Sequence, residues 1–117
     1  MKKVVLCGHT KCGGAVASLG DADLGETLNT WLHPIRELRR KHKGELEALK
    51  DDDERAVRVA ELNVRAGAEA LKEHPAIKKA VSERGLTLHG AIFDIATGEL
   101  RMLEENKTQS TGLWSPN

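Results

Sequence analysis

At 117 residues, with 18 basic groups balancing 18 acidic ones, the chain has the length of one domain and no global attraction to nucleic acid or an anionic membrane. Hydrophobic residues make up 39% and charged residues 31%, the balance of a soluble globular domain, and no apolar run reaches the ~20 residues of a transmembrane helix. The basic start Met1-Lys2-Lys3 precedes only Val4 to Cys7 as an apolar stretch, too short for a secretory signal, so the expected address is cytoplasmic. Cys7 and Cys12, the two cysteines, are then expected as free thiols or metal ligands rather than as a disulfide.

Lys3 to Cys7 (KVVLC) is a valine-rich apolar run that suits a buried strand, and Gly8 ends it. His9 to Gly14 (HTKCGG) is a loop of small residues, Ala15 to Leu19 can form one or two helical turns, and Gly20-Asp21-Ala22-Asp23 breaks the pattern. From Thr27 the residues Leu28, Trp31, Leu32, Ile35 and Leu38 form a helical stripe, with Arg36, Arg39, Arg40 and Lys41 mostly off it as a solvated basic face. Pro34 inside this run predicts a kink, or two helices meeting near His33, and Lys43-Gly44 predicts a stop.

Asp51-Asp52-Asp53 supplies an N-cap and an acidic first turn for a long helix to about Glu73, with Val57, Ala60, Val64, Ala68 and Leu71 facing inward. Pro75 opens a further helix that Gly85 closes. Leu86 to Ile95 reads as a strand, Ala96-Thr97-Gly98 as a turn, and Glu99 to Leu103 as its hairpin partner. The expected fold is α/β: a small, mainly parallel sheet with a helical crossover and a C-terminal antiparallel edge strand. It would span residues 1–104, followed by a polar tail over residues 105–117 in which Leu113-Trp114 is a candidate docking anchor. A parallel strand such as KVVLC usually has neighbours on both sides.

The one dense cluster of metal-capable groups is Cys7-Gly8-His9-Thr10-Lys11-Cys12. A thiolate and an imidazole three residues apart beyond a strand can share one zinc ion, and Gly13 and Gly14 let backbone amides approach an anion. Taken alone, such a pair is better explained by a buried cysteine and a hydrogen-bonded loop histidine. His33, His42 and His74 fit solvated or capping roles, and His89 a structural hydrogen bond. Trp31 is expected in a core or an interface.

Four stretches in order resemble the β-class carbonic anhydrases: VVLCGHTKCGG, the helix segment Trp31-Leu32-x-x-Ile35-Arg36, Glu61-Leu62-Asn63-Val64, and the hairpin from Leu88 to Leu100. The resemblance covers nearly all of the chain up to about Leu103. It implies a Zn2+ cofactor held by His9 and Cys12, an anion and substrate pocket shaped by Gly13 and Gly14, and reversible hydration of carbon dioxide to bicarbonate. Cys7 matches a position that is often cysteine in the family without being a ligand.

The family's first zinc ligand belongs to a C-x-D-S-R element whose Asp and Arg form a dyad, and these 117 residues contain no such element. Two ligands are fewer than the three of a catalytic zinc site. Cys7 as a third ligand, or a second copy of the chain, would repair the deficit. Pairing of the first strand with its own copy predicts a homodimer or higher homo-oligomer, with one zinc shared between two His9–Cys12 pairs in a closed, inactive site. An interaction module that docks its strand edge on a full-length relative is the remaining expectation.

Overall fold

The computed structural model describes residues 2–103. The expected tail and its Leu113-Trp114 anchor lie outside the described residues. The first strand, β1, runs Lys3–His9 and is followed by a one-turn helix α1 (Gly13–Ala17). Next come α2 (Glu26–Lys41) and the short α3 (Lys43–Glu47). The long α4 (Asp52–Glu73) and α5 (Pro75–Arg84) lead to the hairpin strands β2 (Thr87–Asp94) and β3 (Glu99–Leu103). None of the described helices is long and apolar enough to cross a membrane.

The sheet has the order β1-β2-β3. β1 lies parallel to β2, in register from Lys3 opposite Thr87 to His9 opposite Phe93. β3 returns antiparallel, from Gly90 opposite Leu103 to Asp94 opposite Glu99. Among the described residues, the other edge of β1 has no strand beside it.

The helix ends follow their sequence signals. Asp51 caps α4 by accepting the Glu54 amide at 2.9 Å, and three acidic residues fill the first turn, where the helix dipole favours them. His74 closes α4 and caps α5 by accepting the Ala76 amide at 3.2 Å, with Pro75 in the first turn. Gly85 ends α5 at φ +67°, and the Leu86 amide reaches back to the Ala80 carbonyl at 3.2 Å.

Alternation along β1 turns Val4, Leu6 and Gly8 toward α4, and Lys3, Val5, Cys7 and His9 to the opposite, more exposed face. Ala56, Val59, Ala60 and Val64 of α4 share one buried cluster with Ile92 and Leu103, and Leu6 packs against it.

Several expectations are corrected. α2 is one continuous helix through Pro34 and not two helices meeting near His33. Pro34 lacks the amide that would have bonded the Thr30 carbonyl, and Thr30 is exposed. The stop of α2 falls at His42, just ahead of Lys43-Gly44, and Gly44 itself lies within α3. The buried face of α4 is centred on Ala56, Val59, Ala60, Val64 and Ala68, with Val57 and Leu71 at its margins. On α2, Leu32 is buried, whereas Leu28 and Trp31 are exposed. Arg36, expected on the solvated basic face, is only 7% exposed.

Its Nη2 donates to the Ala22 carbonyl at 2.9 Å and so draws the loop after α1 onto the helix. Asp21 on that loop accepts from Arg39 and Arg40 at 2.6 and 2.7 Å.

Candidate metal centre

β1 delivers His9 at its last residue, and the chain then reverses through Thr10 and Lys11. Lys11 takes φ +56°, a left-handed conformation that costs a non-glycine residue roughly 1 kcal/mol. Two long-range bonds hold the turn there. The Thr10 amide donates to the Phe93 carbonyl at 3.0 Å, and the Thr10 hydroxyl accepts the Ile95 amide at 3.0 Å. Cys12 follows in extended conformation as the residue before α1, and its side chain makes no capping bond.

The His9 ring is exposed, with Nδ1 2.7 Å from the Thr10 carbonyl oxygen. A carbonyl only accepts, so Nδ1 carries the hydrogen and Nε2 of the neutral ring keeps a free lone pair. Cys12 is half-buried against the hydrophobic cluster on the α4 side. Cys7 is exposed on the face of β1 turned away from α4, where its thiol donates to the Gly8 carbonyl at 3.2 Å.

All three line a cleft of about 410 Å³, open to solvent, between the end of β1 and the helices α1, α2 and α4. Leu6, Ala15, Ile35, Val59 and Val64 give it an apolar floor, and Asn63 and the 61%-exposed Trp31 border it.

Gly14 also lines this cleft, and a Cβ there would stand 3.1 Å from the Trp31 ring, whereas one on Gly13 would meet nothing within 4 Å. Of the remaining histidines, His33 is exposed on α2 and the other three take structural places. Nε2 of His89 lies 2.8 Å from the Thr87 hydroxyl, His74 caps α5, and His42 sits between α2 and α3. Among the described residues, no group of three or more His, Cys, Asp or Glu side chains comes together to hold a metal ion. His9, Cys12 and Cys7 therefore share a cleft without forming a three-ligand cluster.

A sequence-family model described as carbonic anhydrase matches residues 1–100. This chain belongs to the β-carbonic anhydrase family. The carbonic anhydrase of Candida albicans is 39% identical over 105 residues, which make up 89% of this chain and 37% of that protein. That of Emericella nidulans is 39% identical over 104 residues, covering 88% of this chain and 45% of the relative. One of two tetrameric β-carbonic anhydrases from Sordaria macrospora superposes with a TM-score of 0.85 at 47% identity, covering 88% of this chain and 52% of its own. The β-carbonic anhydrase CafA of Aspergillus fumigatus matches at TM-score 0.85 and 48% identity, with 92% and 52% covered. The chain thus spans about half, or less, of the length of these relatives.

β-Carbonic anhydrases are zinc enzymes, and the half-site here can be tested against that metal. An imidazole whose Nδ1 is engaged by the Thr10 carbonyl and a free thiol, three residues apart on one turn, fit zinc in donor type. In number they fall short of a catalytic site, since no third donor joins them among the described residues.

Proposed function

We propose that this chain is the part of a β-carbonic anhydrase that contributes His9 Nε2 and Cys12 Sγ to zinc, in service of the reversible hydration of carbon dioxide to bicarbonate. The observation carrying this reading is the His9–Thr10 contact at 2.7 Å, which leaves the imidazole set to coordinate beside Cys12 in an apolar cleft. Zinc, when bound, supplies Lewis acidity. The chain's own residues orient the imidazole, present the thiol, and offer through Leu6, Ile35 and Val59 a lining suited to a small uncharged substrate. Gly14, and Gly13 before it, would leave the approach to the metal open. The missing donor comes from outside the described residues.

A homo-oligomer is the economical source of that donor. Among the described residues one edge of β1 has no strand beside it, and residues of β1 line the cleft, so a second copy docked on that edge would bring its own groups near the half-site. A second reading uses the same observation: two His9–Cys12 pairs closing around one zinc give a structural, four-ligand bridge with no open position.

Zinc content per chain, molar mass by light scattering and stopped-flow hydration distinguish the readings on one sample. About one zinc per chain with hydration above that of free zinc supports the enzyme. Half a zinc per chain, with dimers lost on chelation and no hydration, supports the bridge. Absence of bound zinc from protein purified and dialysed with the metal overturns both.

A further inference from the structure

We infer that Thr10 is a positioning residue for the His9 imidazole, a role that deepens the zinc reading above and rests on it where metal affinity is concerned. Three groups of Thr10 act together. Its carbonyl accepts from His9 Nδ1 at 2.7 Å, its amide donates to Phe93 O at 3.0 Å, and its hydroxyl accepts the Ile95 amide at 3.0 Å. The first contact selects the tautomer whose Nε2 has a free lone pair, and partners of this kind typically contribute 10–100-fold to metal affinity.

The other two contacts keep that carbonyl in place. It belongs to the peptide joining Thr10 to Lys11, and Lys11 is in the left-handed region, a conformation that relaxes unless neighbouring contacts enforce it. The enforcing partner is the end of the β2–β3 hairpin, itself well tied. Asp94 accepts the Ala96 amide on its side chain at 2.9 Å and the Gly98 amide on its carbonyl at 2.7 Å. The β2–β3 hairpin therefore sets the ring orientation of a residue far from it in sequence, through the Thr10 hydroxyl and amide.

The test uses the full 117-residue chain, with zinc ion alone as the probe, comparing wild type with Thr10→Val and Thr10→Ser. Nitrogen-15 NMR of the metal-free protein should show His9 as the Nδ1–H tautomer in wild type and Thr10→Ser, and as a mixture in Thr10→Val. Competition with a chromophoric chelator should give zinc affinity 10–100-fold weaker in Thr10→Val and restored in Thr10→Ser. Exchange of the Ile95 amide should accelerate in Thr10→Val alone.

Equal tautomer populations and equal zinc affinity in wild type and Thr10→Val overturn the role of Thr10 and leave the zinc reading standing. A wild type that binds no zinc, yet shows the Nδ1–H tautomer that Thr10→Val loses, removes the zinc reading and keeps Thr10 as the residue orienting His9. Should Thr10→Val fail to fold, the wild-type spectrum decides: an Nε2–H tautomer at His9 rules the proposal out.

Discussion

Leu6 on β1 lies against the bare α-carbon of Gly67 on α4, so close that a methyl group added at residue 67 would stand 2.8 Å from Leu6 Cδ2. This approach sets how near the long helix sits to the strand that ends in His9. Two effects oppose each other on substitution. Alanine is favoured over glycine inside a helix by about 1 kcal/mol, whereas forcing an extra carbon into a packed contact costs about 1–3 kcal/mol. The two effects nearly cancel, because the atom met is the terminal methyl of Leu6, and Leu6 and Gly67 both line the open cleft into which that methyl can turn. Gly67→Ala should therefore stay within about 1 kcal/mol of wild type in urea denaturation. Gly44→Ala is the control, since a Cβ in that helix meets nothing within 4 Å, and it should stabilise by up to about 1 kcal/mol.

Arg36 predicts a second loss, at the loop between α1 and α2. Its guanidinium bonds the Ala22 carbonyl at 2.9 Å and lies 3.4 Å from Asn29 Oδ1, while Asn29 also accepts the Leu24 amide at 3.1 Å. Arg36→Ala leaves that carbonyl without its donor and should cost about 2 kcal/mol. Arg36→Lys should recover only part of this, because a point-like ammonium cannot reproduce the planar fork. Limited proteolysis should show the loop over residues 20–25 cut faster in both variants, and unchanged cleavage there would mean that Arg36 does not hold it.

Arg36 also marks where the sequence stopped being legible. Local punctuation was readable: the Asp51 cap, Pro75 and Gly85 each act on their own few neighbours, and they bound the helices where the sequence places them. The parallel β1–β2 pairing followed from the helical crossover, and His9 and Cys12 from their spacing beyond a strand. What failed depended on distant partners. Nothing near Arg36 announces that a loop 14 residues earlier will fold over it. Pro34 reads as a kink or a junction of two helices because the sequence does not reveal that the turn before it, at Thr30, is exposed. Thr10 passed unnoticed for the same reason, its hydroxyl partner being 85 residues away.

Acid should weaken the same loop. The Arg39 guanidinium, joined by Arg40, holds the Asp21 carboxyl below the ordinary aspartate range. The Gly25 amide, with the Asn29 side chain, does the same for Asp23. A carboxylate whose folded pKa is depressed contributes stability above its unfolded value, near ~3.9, and loses it as pH falls through the folded value. Stability should thus decline on acidification from about pH 5 downward, and Asp21→Asn and Asp23→Asn should each flatten that limb. Salt separates them. The exposed Asp21 ion pairs are screened in 1 M salt, whereas the Asp23 contribution, made first by a backbone amide, should persist.

The two thiols give the sharpest test of which sulfur belongs to the metal. Cys7 projects from the face of β1 opposite α4 and is exposed, whereas Cys12 is half-buried beside the apolar floor of the cleft. Alkylation of metal-free protein should therefore modify Cys7 faster than Cys12, since reaction follows access as well as thiolate content. Adding zinc should slow Cys12 strongly and leave Cys7 nearly unchanged, because a coordinated thiolate is withdrawn as a nucleophile and only Cys12 stands on the turn that presents His9. Rates measured in Cys7→Ser and Cys12→Ser separate the two reactions. His9→Ala should abolish the zinc protection of Cys12 if both donors hold one ion. Protection of Cys7 at the same zinc concentration would instead mean that Cys7, which shares a face of β1 with His9, also reaches the metal, and the assignment of two ligands would become one of three.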